Sequence, residues 1–161
     1  MLHAEMSCNS LRALLGSTVL VASGFATSPA SAEDLAQQPA IKWHADDSAL
    51  KWGPCPDFLP AGCGLAVLCG DPAEPNADVF FKIPAGSQLP LHWHTSAERM
   101  VLVAGELHVA YEGQTSTVLK PGTYAYGPAK LPHSGSCVST TPCVLFIAFE
   151  SSVDAVPGKA E

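Results

Sequence analysis

Between residues 65 and 150 the chain is a succession of apolar runs, each four to eight residues long and each cut off by a turn signal. LAVLC (65–69) gives way to GDPAEPN, VFFKI (79–83) to PAGSQ, STVLK (116–120) to PG, and LPLHWH, ERMVLVAG, ELHVAY, TYAYGP and CVLFIAFE follow the same rule. No stretch keeps apolar residues at i, i+3 and i+4 over three turns, and breaks recur at the spacing of short strands. That pattern excludes a helical bundle and predicts an all-β sandwich or barrel of about eight strands. Pro121-Gly122 fits one of its tight turns, because proline presets φ and glycine accepts a positive value.

With 47% hydrophobic and 14% charged residues in 161, the chain can bury a core and fits one modest domain. Eight Lys and Arg against fifteen Asp and Glu leave a net charge of −7. This argues against nucleic acid or an anionic membrane surface as partner and leaves a small-molecule or metal-bound ligand.

Residues 1–12 contain one basic side chain, Arg12, residues 11–26 are mostly apolar and small, and Ala30-Ser31-Ala32 ends an A-x-A pattern. These are the parts of a secretory signal peptide cleaved after Ala32, and the apolar stretch is shorter than the roughly 20 residues needed to span a bilayer. The expected organisation is a signal peptide at 1–32, an N-terminal arm and Pro-rich loop at 33–63, a barrel at 64–150 and a tail at 151–161. The expected location is periplasmic or secreted, with no membrane span in the mature protein. Export also makes disulfides plausible. Cys55 and Cys63 bracket a Pro- and Gly-rich loop, Cys137 and Cys143 bracket a turn, and local spacing pairs 55 with 63 and 137 with 143 among the three pairings four cysteines permit. Cys69 is left over and reads as a small buried hydrophobe.

The chemistry concentrates at residues 86–105. His92 and His94 are two apart, so on a strand both imidazoles project from one face. Glu98 follows after a segment long enough to turn and bring the next strand's carboxylate beside them, and His133 follows a proline-bracketed loop. Three imidazoles and a carboxylate make a divalent-metal site, and burying all four without an ion would leave costly unpaired polar atoms. His44 and His108 read as ordinary surface residues and Arg99 as half of a surface salt bridge. Trp93 points to the face opposite the ligands. Tyr124 and Tyr126 share a face, and either one of them lines the cavity as a substrate contact or both pack at the rim.

These residues resemble the cupins, whose first motif reads G-x5-HxH-x3,4-E-x6-G. Gly86, His92, His94, Glu98 and Gly105 match every position. The second motif, G-x5-PxG-x2-H-x3-N, is met by Gly122, Pro128 and His133, while Lys130 stands where the family has glycine and Cys137 where it has asparagine. The resemblance covers about residues 65–149. It implies a double-sheet jelly roll with a metal held by His92, His94, Glu98 and His133 near its mouth, and a homodimer that buries the open sheet edges.

Four protein ligands complete a tetrahedral zinc shell, whereas six-coordinate iron, manganese or nickel keeps two positions open. The leading reading is therefore a metal-dependent oxidoreductase, an Fe(II) dioxygenase acting on a small anionic or enolisable substrate with Glu98 as proton acceptor; Mn, Ni and Zn are the other ions the set accommodates. The alternative is an exported protein that binds metal or a small ligand without turnover. Metal-assisted lyase or isomerase chemistry on a sugar acid ranks third, because no Lys/Arg cluster offers a basic pocket.

Overall fold

A computed structural model describes residues 40–160. The signal peptide expected at 1–32 lies outside them. By its contacts the chain divides into Met1–Lys42 and Trp43–Glu161, and every described strand belongs to the second unit.

The strands are β1 (Trp52–Pro54), β2 (Gly64–Cys69), β3 (Asp78–Ile83), β4 (Gln88–Trp93), β5 (Glu98–Ala104), β6 (Leu107–Tyr111), β7 (Thr117–Leu119), β8 (Tyr124–Gly127), β9 (His133–Cys137), β10 (Cys143–Phe149) and β11 (Val156–Pro157). No helix occurs among the described residues. The strands form a six-stranded sheet in the order β1-β2-β3-β10-β5-β8 and a five-stranded sheet in the order β11-β4-β9-β6-β7, with every pairing antiparallel. The fold is the all-β jelly roll that the pattern of short runs and the motifs anticipate. Eight of its strands coincide with the apolar runs. The short segment Trp52–Pro54 in the Pro-rich stretch is an edge strand, while β9 and β11 are additions that the runs do not show.

Alternation places the core between the sheets. Val79 and Ile83 of β3, Met100 and Leu102 of β5, Leu107 and Val109 of β6, and Leu145, Ile147 and Phe149 of β10 all turn inward and are buried. Register stacks these residues in levels. In the five-stranded sheet His92 faces His133 and His133 faces Tyr111; further along, Leu89 faces Gly135 and Gly135 faces Val109. Across the barrel Glu98 pairs with both Phe149 and Gly127, then Met100 with Ile147, then Leu102 with Leu145. The polar residues thus occupy one level and aliphatic side chains fill those beyond it. On the other face of the six-stranded sheet, residues 43–52 cover a smaller cluster in which Leu50, Ala66, Phe80 and Val144 are buried beneath Trp43 and Trp52.

The sulfurs of Cys55 and Cys63 are 2.00 Å apart and those of Cys137 and Cys143 2.19 Å apart. The second pair joins β9 to β10 and so ties one sheet to the other. Gly105 explains its place in the first motif here: its φ is +83°, and an added Cβ would meet Cys143 Cα and Sγ at 2.8 Å. Cys69 is not a free thiol, contrary to the sequence reading that leaves it over. Among the described residues no helix is long and apolar enough to cross a membrane.

Candidate metal centre

His92 near the end of β4, His94 just beyond it and His133 at the start of β9 converge because β4 and β9 pair with His92 opposite His133. One ligand nitrogen from each imidazole lies within 4.8 Å of the others. Glu98 enters from the facing sheet. Its Oε1 is 3.5 Å from His94 Nε2, and its Oε2 is 3.8 Å from His133 Nε2.

Each imidazole is fixed from behind. Nδ1 of His92 lies 2.7 Å from the Pro90 carbonyl, Nδ1 of His133 lies 3.1 Å from the Leu131 carbonyl, and Nδ1 of His94 bonds the carbonyl of Asp154. A carbonyl only accepts, so in each ring Nδ1 carries the proton and the Nε2 lone pair is left facing the cluster. Burial reinforces the neutral form: it lowers the pKa of His92 to about 4 and of His133 to about 3, and lowers that of His94 as well. Burial, with the Asp154 charge second, pushes Glu98 up to about 8. Three acceptor nitrogens thus surround a carboxylate with no cation among them. A divalent ion at their centre would favour the ionised form of Glu98, and the donor set, with its carbonyl-locked tautomers, fits one.

The backing for His94 comes from residues 151–158. β11 pairs with β4, setting Val156 opposite Trp93 and Pro157 opposite His92. The Asp154 carboxylate accepts from Thr95 N–H at 2.9 Å and from Thr95 Oγ1 at 2.7 Å, and Gly158 N–H donates to Leu91 O at 2.8 Å. The segment read as a tail is a strap across the ligand strand. The sequence shows no apolar run there. Lys130 takes the glycine position of the second motif with φ +61°, and its N–H donates to His94 O at 2.8 Å. The left-handed turn survives without glycine, and no ligand is displaced.

Beside the ligands lies a cavity of about 240 Å³, walled by aliphatic and aromatic side chains from both sheets and by Pro54, Cys55, Pro56 and Leu59 of the disulfide-closed loop region. Phe58 from that loop sits 6.0 Å from the His92 ring, centroid to centroid. Tyr111, which the sequence reading passes over, lines this cavity with its ring centroid 5.0 Å from that of His133. Alternation could have found it, since Tyr111 shares a face with the inward Leu107 and Val109. Tyr124 and Tyr126, the expected substrate contacts, are 59% and 50% exposed and are not among the lining residues. Register accounts for this: β8 sets Gly127 opposite inward-facing Glu98 and Ala125 opposite inward-facing Met100, so both tyrosines point out with Arg99 and Val101. Arg99 pairs with Glu150 at the surface, His108 lies 3.6 Å from Glu106, and His44 is exposed.

A family model described as a cupin domain matches residues 79–149. Among curated proteins, none matches. Solved structures are similar in fold: DMSP lyase DddQ from Ruegeria pomeroyi DSS-3 (TM-score 0.57, 21% identity, 67% of this chain and 60% of that one), an RmlC-like cupin from Shewanella frigidimarina NCIMB 400 (0.53, 21%, 65% and 86%) and an oxalate oxidase (0.50, 20%, 61% and 56%). The chain spans less than two thirds of the lyase and oxidase chains, and at these identities the likeness speaks for the fold alone. With the domain match, the sheet topology and the histidine trio together, residues 79–149 are identified as a cupin domain.

Proposed function

We propose that His92, His94, His133 and Glu98 hold a divalent ion, Fe(II) before Mn, Ni or Zn, and that the protein is a dioxygenase acting on a small enolisable molecule. The observation that carries this reading is the set of three Nδ1–carbonyl hydrogen bonds, which aim three neutral nitrogens at one point beside a closed-in cavity. An iron(II) ion there would supply the one-electron chemistry that lets dioxygen react with a closed-shell organic molecule. The chain's own groups do the rest. Glu98 Oε2 takes up the acidic C–H proton as the substrate enolises, Tyr111 Oη donates a hydrogen bond to the substrate's oxygen, and the apolar walls exclude water. Oxalate oxidase is an example of an oxidase on a similar fold.

Residues 1–32 act in this reading as a leader removed on export, the two close cysteine pairs suit an oxidising compartment, and the sheet edges meet in a homodimer. A second reading, an exported protein that binds without turnover, is favoured by one feature: apart from Glu98, Tyr111 and Asp154 the non-histidine cavity walls carry no acid or base. Anaerobic purification without chelator, metal analysis and dioxygen uptake with a β-diketone and a catechol separate the two. Near-stoichiometric iron and dioxygen uptake support the dioxygenase. Bound metal without uptake supports the binding protein, and absence of metal overturns both metal readings.

A further inference from the structure

We infer that the cavity takes a small molecule with a hydrocarbon body and a single oxygen-bearing head, the head oriented by a hydrogen bond from Tyr111 Oη; this rests on the metal-site reading above and names its ligand class. The first observation is the unpaired hydroxyl. Tyr111 Oη is buried without a hydrogen-bond partner, and a buried hydroxyl of this kind calls for an acceptor that the protein itself does not offer. Gly127 lets the hydroxyl come this deep, since an added Cβ there would sit 2.8 Å from Tyr111 Oη and 3.1 Å from Glu98 Oε2. Any side chain at Gly127 would push both oxygens aside.

The second observation is the charge of the walls. No lysine or arginine lines the cavity, and Asp154, its remaining carboxylate beside Glu98, is taken up by Thr95. A divalent ion with three neutral imidazoles and one carboxylate leaves a single positive charge. A monoanionic head neutralises it, whereas a dianion leaves an uncompensated negative charge among apolar walls, which is costly. The third observation is what continues away from the ligands. Leu89, Val109, Met100, Leu145 and Ile147 occupy the levels beyond His92 and Glu98, so the body of the ligand meets hydrocarbon. The volume of about 240 Å³ limits that body to a short one.

The test is calorimetric titration of the anaerobic Fe(II)-loaded protein with pentane-2,4-dione, heptane-3,5-dione and oxalate, in the wild type and in Tyr111→Phe. Two further buried methylenes should make heptane-3,5-dione bind about tenfold tighter than pentane-2,4-dione. Oxalate should bind more weakly than either. Tyr111→Phe should weaken both diones by about tenfold with the iron content unchanged. Oxalate binding as tightly as the diones, affinity indifferent to chain length, or an unaffected Tyr111→Phe variant would each overturn the inference. Failure of the dioxygenase reading shows differently, as dione-bound protein that consumes no dioxygen. Should the protein hold no metal, the same titration of the metal-free protein still reads the chain-length and Tyr111 effects.

Discussion

At the ligand level of the barrel, main-chain carbonyls fix every imidazole and Thr95 is bound by Asp154, whereas the aliphatic side chains of the levels beyond it are placed by packing. The difference lies in how each region responds to change. Hydrogen bonds to a ring demand particular atoms at particular places, so the ligand level tolerates few substitutions. Apolar packing asks for volume, so the far levels can be recut without disturbing the ligands. In the proposed function, the ligand level sets what kind of chemistry is within reach, and the aliphatic levels set which molecule is admitted.

Replacing both His92 and His94 by alanine breaks the ligand level outright. Metal content by elemental analysis should drop from near one ion per chain to background, while the far levels keep the barrel folded by circular dichroism. A variant that retained its metal would refute the site. Asp154→Ala keeps all ligands and removes only the two bonds to Thr95. Its metal affinity, measured by competition with a chromogenic chelator, should fall by up to about tenfold, because the carbonyl that holds His94 Nδ1 remains but loses its anchor to Thr95.

Ile147→Ala addresses the other region. It should cost about 2 kcal/mol in urea unfolding, near the lower end of the usual range because the side chain already borders a cavity, and leave metal affinity unchanged. Coupled loss of metal would mean that the two regions are not independent.

The metal-free protein should show its own pH signature. Unfolded histidines take up protons near pH 6.5, but in the folded protein burial keeps His92 and His133 neutral down to about 4 and about 3, so stability falls as pH drops from about 6.5. Glu98 works in the opposite direction. Its folded value of about 8 lies above the ordinary 4.5, so the folded state holds that proton longer and stability falls as pH rises between those values. With two histidines against one glutamate, thermal stability should climb from pH 4 to about 6.5 and decline toward 8. Metal should remove the alkaline decline, because Glu98 is then charged beside a cation.

The smallest effects are expected at the margins. Lys130→Gly relieves a left-handed residue and should stabilise by about 1 kcal/mol or less, and Tyr124→Ala with Tyr126→Ala should leave ligand affinity where it was. A clear loss of binding in the tyrosine pair would place the ligand elsewhere than in the described cavity.

What could be read from the chain follows the same division. His92, His94 and Glu98 were legible because strand alternation and one short turn suffice to bring them together. β9 was not, since His-Ser-Gly-Ser-Cys has no apolar alternation and becomes a strand only by lying between β4 and β6. The direction of Tyr124 and Tyr126 depends on which residue of β8 faces Glu98, a register that only the assembled sheet fixes. Tyr111 was within reach of alternation but stands at the last position of β6, where a turn signal masks its face.

The strap has a consequence for how the protein comes into being. Asp154 follows every strand of the two main sheets in chain order except β11, yet its carbonyl sets the proton on His94. A nascent chain that has emerged as far as β10 therefore has all four candidate ligands without the fixed orientation of one of them. A polypeptide truncated before residue 154 should therefore hold an ion less tightly than one that includes it.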